Sequence, residues 1–202
     1  TGDQIGRLVS SGLLRPLNHS YIPNITNVWP AFSNPWYDGQ WRYSVPYTVY
    51  TTGIGWRTDQ LPADIGALAN PYDVLWDPAY KNQTAVIDDG HTAMSMVLLK
   101  LGKTDVNTSS ADDLAKVADA LTQMRKNTAP SITATMFNDL PAGLISVSQM
   151  WSDDVISARD YLPDGVSPDV LRYWFPPDGK GLVDNDLLVT PRSGKNPVAA
   201  QL

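Results

Sequence analysis

The chain contains no cysteine, so disulfide bridges, thiolate metal sites and thiol catalysis are all excluded. It contains no glutamate either: all 21 acidic residues are aspartates, and any carboxylate chemistry must use the shorter side chain. Histidine occurs only at His19 and His91, and neither belongs to an HExxH metal motif. No GxGxxG follows a strand pattern, and no GxxxxGK[ST] or G-x-S-x-G is present. Dinucleotide and P-loop sites therefore lack their backbone glycines, and a serine nucleophile lacks its elbow. No run of eighteen apolar residues occurs, so a membrane-spanning helix is not expected. Thr1 opens directly into polar sequence, as in a chain from which any targeting segment has been removed.

What is present is a globular composition. Of 202 residues, 43% are apolar and 18% charged, enough apolar material for a substantial core. Fifteen basic residues leave a net charge of −6, which disfavours nucleic acid and anionic membranes as partners and favours cations.

The chain reads as alternating strands and helices. Ile5, Leu8, Val9, Leu13 and Leu14 predict a short helix within residues 1–17, whose capping end is already Thr1-Gly2-Asp3. That start is the one expected of a fragment of a longer protein. Residues 18–40 combine turn chemistry with Trp29, Phe32, Trp36 and Tyr37, and predict a packed irregular segment. Tyr43 to Arg57 reads as extended backbone relaxed at Gly53 and Gly55, and Tyr72 to Trp76 as a short helical piece. Thr84 to Ile87 predicts a buried strand that ends at Asp88-Asp89-Gly90 and passes into a helix stopping at Gly102. A second helix is capped at Ser109 or Ser110, with Asp112 and Asp113 in its first turn and Arg125 and Lys126 in its last. Strands are further expected at Leu144 to Met150, Val170 to Phe175 and Leu187 to Val189. The alternation argues an α/β layer architecture with parallel pairing.

Three acidic groups accompany the strands: Asp88-Asp89, Asp153-Asp154, and Asp184 with Asp186. In open α/β sheets ligands gather outside the carboxyl ends of strands, so such acids can share a cleft. Each pair taken singly also fits a helix N-terminal acid stabilised by the macrodipole, and Trp151 taken singly fits core packing. Paired carboxylates leave a hydrolase as an alternative.

The segments YSVPYTVYTTGIGWR, DVLWDPAYKNQTAVIDDGHTAMSMVLLKLG, SVSQMWSDD and DNDLLVTP, in this order, resemble the extracellular solute-binding protein of spermidine/putrescine-type ABC importers. The resemblance implies an α/β, periplasmic-binding-protein-like fold of type II kind, present as one mostly complete lobe plus pieces of the second. Residues 1–50 would belong to a partial first lobe, 51–183 to the second lobe, and 184–202 to a segment returning to the first. It further implies capture of a polyamine or other small cationic amine between lobes, by a monomer outside the cytoplasm that serves a membrane ABC permease. No enzyme activity, nucleic acid, cofactor or metal would be involved; a different small solute is the other possibility for a binding protein. By resemblance the ligand-binding residues are Asp89, Trp151, Asp154 and Asp186, with Thr1 and Asp3 at positions that touch ligand in relatives. Thr92 stands where relatives often carry Glu, and Asp184 where an aromatic completes the cage.

Overall fold

The computed structural model describes residues 2–61 and 63–201, the side chain of Asp3 excepted. The chain forms two units: Thr1–Tyr50 with Val183–Leu202, and Thr51–Leu182. Helix α1 (Gly2–Ser10) opens the first unit. Short 3-10 turns follow at Pro23–Asn27, Pro30–Phe32 and Gly39–Trp41, so the segment is irregular as expected, but it is not packed: Trp29 and Trp36 are 74% and 87% exposed and the first two turns bury no residue. That segment is closed by a buried carboxylate: Asp38 accepts the backbone N–H groups of Arg42, Tyr43 and Ser44 and the Ser44 hydroxyl. Strand β1 (Ser44–Arg57) begins there and runs on into the second unit.

The remaining elements of the second unit follow in order. They are β2 (Thr84–Ile87), α2 (Gly90–Lys100), α3 (Ala111–Asn127), β3 (Ser131–Thr133), α4 (Met136–Asp139), β4 (Val147–Trp151), α5 (Ser152–Ser157) and β5 (Leu171–Trp174). Strand β6 (Leu182–Val189) leads back to the first unit and pairs with β1. The sheet order is β3-β2-β4-β1-β5.

Helix α2 ends where the sequence places its stop. Gly102 takes φ +76°, and the N–H of Lys103 reaches the Leu98 carbonyl, so a left-handed residue satisfies the last turn. In α3 the Ser110 hydroxyl accepts the Asp113 N–H, while Asp112 and Asp113 at one end and Arg125 and Lys126 at the other oppose the helix dipole.

All four residues of β2 are buried, because both faces of the sheet are covered. Val86 faces a cluster with Met96 of α2, Met124 of α3, Val74 and Leu75. Ala85 and Ile87 face the opposite cluster, with Met136 of α4, Leu140, Met150 and Ala158.

Strand β2 pairs in parallel with both β3 and β4. The expectation of a parallel sheet fails at β1, which runs antiparallel to both β4 and β5. The reason is connectivity: helices link β2 to β3, β3 to β4 and β4 to β5 and return the chain in one direction, whereas β1 lies between β4 and β5 running the other way. Two strand limits also differ. The strand expected from Leu144 starts at Val147, since the N–H of Leu144 is taken by the Asp139 carbonyl at the end of α4. The strand expected at Leu187 extends back to Leu182, because half-buried Asn185, Leu187 and Val189 alternate with exposed Asp184, Asp186 and Leu188.

Close strand approach makes one glycine indispensable. A Cβ at Gly53 would overlap the Trp174 carbonyl oxygen and stand 2.9 Å from the Tyr173 hydroxyl. Gly53→Ala is therefore expected to cost about 3 kcal/mol, the upper end for overpacking. Gly6→Ala, in α1 with nothing within 4 Å, should instead stabilise by about 0.5–1 kcal/mol. Thermal denaturation of the two variants checks the contrast.

Candidate functional site

The parallel strands β3, β2 and β4 lie side by side, and each passes at its carboxyl end into a helix. The turn leaving β2 carries Asp88-Asp89, and β4 ends at Trp151 directly before Ser152-Asp153-Asp154 in the first turn of α5. Adjacent parallel strands therefore bring Asp89, Trp151 and Asp154 to one end of the second unit's sheet.

The two acids stand in different environments. Asp89 is exposed and caps α2, its Oδ1 accepting the Thr92 N–H at 2.7 Å. That backbone bond holds its carboxyl below the ordinary range, with a smaller contribution from His91. The helix-cap role read from the sequence is thus realised, and Asp89 stays ionised.

Asp154 lies in the first turn of α5 and is partly buried. Its Oδ2 is shielded from solvent and has no hydrogen-bond partner among the described residues. Burial, reinforced by the adjacent charge of Asp153, pushes its carboxyl up to about 6. Among the described residues nothing donates a hydrogen bond to that inner oxygen.

Trp151 closes β4 opposite Thr52 of β1 and packs, half-buried, on the cluster containing Met150 and Leu171. Core packing accounts for only part of its ring. A network missed by sequence reasoning borders these residues: Ser152 Oγ accepts the Thr51 N–H at 3.1 Å, and Thr51 Oγ1 lies 2.9 Å from the Tyr173 hydroxyl. Burial pushes the Tyr173 hydroxyl up to about 12, so it remains a neutral hydrogen-bonding group. Thr, Ser and Tyr so far apart in sequence carry no spacing signal; only strand pairing assembles them.

Asp186 belongs to the first unit, exposed on β6, in the interior of the strand and not in a loop before it. Its neighbour Asn185 faces the other way and donates to the Tyr37 hydroxyl at 2.6 Å. Thr1 and the side chain of Asp3 lie outside the described residues. Among the described residues no group of three or more His, Cys, Asp or Glu side chains is placed to hold a metal ion.

In the second unit, then, two carboxylates of different basicity accompany an indole at the end of a sheet. Such a set suits a cation with a hydrocarbon body, through charge-assisted hydrogen bonds and cation–π attraction.

Comparison with known proteins bears on this arrangement. The spermidine/putrescine-binding periplasmic protein 1 of Haemophilus influenzae is 26% identical over 193 residues, covering 95% of this chain and 50% of that protein. The putrescine-binding periplasmic protein PotF of Escherichia coli K12 is 28% identical over 202 residues, covering 94% of this chain and 54% of its own. The chain thus spans about half the length of the curated relatives it matches. The solved structure of the TpPotD lipoprotein of Treponema pallidum superposes with a TM-score of 0.84 at 21% identity, covering 99% of this chain and 60% of that one, a likeness of fold. The family model described as bacterial extracellular solute-binding protein matches residues 1–202 throughout, and the chain belongs to that family.

Proposed function

We propose that the intact protein captures a polyamine, putrescine or spermidine, or a closely related cationic amine, and delivers it to an ABC permease from outside the cytoplasm. The single observation that carries this reading is Asp154: a partly buried carboxylate with one oxygen lacking a donor among the described residues, three residues from a half-buried Trp151. An ammonium group supplies the missing donor and the countercharge together, and the methylenes beside it can lie against the indole. Asp89, held ionised at the neighbouring strand end, offers a second anchor for a molecule with two amines. The names of the relatives and the net charge of −6 support the same ligand class.

In this reading residues 51–183 form one lobe, residues 1–50 part of the other, and 184–202 a return segment that brings Asp186 to the ligand. The protein acts as a monomer and performs no bond chemistry.

Calorimetry on the intact protein with putrescine, spermidine and a neutral sugar tests the proposal. Both amines should bind and the sugar should not; sugar binding with neither amine bound would sink it. Turnover of substrate would favour a hydrolase using paired aspartates. Asp154→Asn and Asp186→Asn should each weaken diamine binding by about 1.5–3 kcal/mol, the scale of one charge-assisted hydrogen bond. Asp178→Asn serves as control, since Asp178 is an exposed turn residue paired with Lys180. Equal weakening at Asp178 would mean that net charge, not a site, is being read.

A pH dependence follows with a definite sign. The ligand binds the ionised form of Asp154, so amine affinity should fall as pH drops through about 6. For the ligand-free protein the folded value lies above the ordinary 3.8, so ionised Asp154 costs stability at pH above 6 and that cost disappears as pH falls towards 3.8. Asp154→Asn should accordingly raise the melting temperature at pH 7 and leave it nearly unchanged near pH 4. Asp59 and Asp89, both held below the ordinary range, act oppositely and lose their stabilisation only at lower pH, which separates the two effects.

A further inference from the structure

Strands β2 and β4 stop pairing before either ends. Their register is Thr84 with Val147 and Ala85 with Ser148, yet β2 continues to Ile87 and β4 to Trp151. Past Ala85 the sheet forks, and the two prongs lead to Asp89 and to Trp151 with Asp154. Backbone groups on the inner edges of such a fork lose their ladder partners in a region closed to solvent, and need others.

For Ile87 of β2, Gln149 supplies one. It is fully buried, at 0% exposure, in the middle of β4. Its Oε1 accepts the N–H of Ile87, the last residue of β2, at 3.3 Å, and its Nε2 donates to the carbonyl of Thr92 at 3.1 Å. Thr92 is also the residue whose N–H is held by Asp89. The carboxylate of Asp89 and the amide of Gln149 therefore grip the same residue of α2, one by its N–H and one by its carbonyl. The backbone of Gln149 is meanwhile registered to Ile54 of β1, so the side chain is fixed from the sheet side. A methionine or leucine would fill a similar volume while satisfying neither backbone group.

We propose that Gln149 is a positioning residue: it braces the fork between β2 and β4 and thereby fixes the Asp89 turn relative to the turn that carries Trp151 and Asp154. It touches no ligand and acts through Asp89. The consequence for amine affinity rests on the polyamine reading above, whereas the consequence for the Asp89 turn does not.

The test uses the intact protein and Gln149→Met. In the absence of ligand, NMR titration of the Asp89 carboxyl should show its pKa moving up from its depressed value towards the ordinary one, with faster amide exchange at residues 87–92 and none of that change in α3. Putrescine affinity by calorimetry should fall about tenfold. In an Asp89→Asn background the same substitution should change affinity less than twofold, because the group it positions is already removed. A variant that loses melting temperature while the Asp89 titration and the exchange at 87–92 stay as in the parent would overturn the proposal and leave Gln149 as core filling. Should Gln149→Met fail to fold, Gln149→Asn, whose amide is one methylene shorter and cannot span Ile87 and Thr92 together, replaces it: an unmoved Asp89 titration there overturns the proposal equally. If the parent protein binds neither putrescine nor spermidine while the Asp89 titration still responds, the brace stands and the polyamine reading falls.

Discussion

Strand β1 has to serve two antiparallel neighbours at once, and the second unit is arranged around that demand. Gly53 makes room for the backbone of β5, and Gly55 for Met150 of β4, at positions where ordinary side chains would force the strands apart. The strand is tied at both ends of this stretch. Thr51 is held by Ser152 and Tyr173, and the buried guanidinium of Arg57 forks onto Asp59 and donates to the Pro141 carbonyl at 2.6 Å. With β1 fixed, β4 is fixed beside it, and Trp151 is set opposite Thr52. Trp151 thus inherits its place from a glycine-lined strand.

The acids show how one side chain type is made to do different things. Asp38 is buried and saturated with donors, so it organises the irregular segment before β1. Asp89 accepts one backbone N–H and keeps its charge in solvent. Asp154 is partly desolvated, with no donor for its inner oxygen among the described residues. Composition cannot separate these three; hydrogen bonding and burial do.

Much of this fold was legible in the sequence where a local rule decides the outcome. Helix α3 has a serine cap, dipole-opposing charges and a regular apolar face, and β2 is an apolar run closed by an acidic turn. The three-residue β3 and four-residue α4 went unseen, because they are shorter than any period and β3 exists only through its pairing with β2. Strand direction was equally hidden, since β1 pairs with residues about a hundred positions away. At the site, the acids at strand ends were visible as residues following apolar runs. The interior location of Asp186 in β6 was not, because two aspartates in a strand interrupt its apolar pattern without breaking its alternation. Gln149 carried a faint signal, an amide among apolar neighbours in a buried strand, and only the fork explains why an amide stands there.

That the brace is an amide separates shape from charge. Gln149 has no proton to gain or lose over the range in which Asp154 titrates, and its two bonds go to backbone groups that do not titrate either. Acidification therefore discharges one carboxylate inside a frame whose hydrogen bonds are unaltered. A cation would leave such a site by neutralisation, with the scaffold intact and ready to recharge when the proton departs.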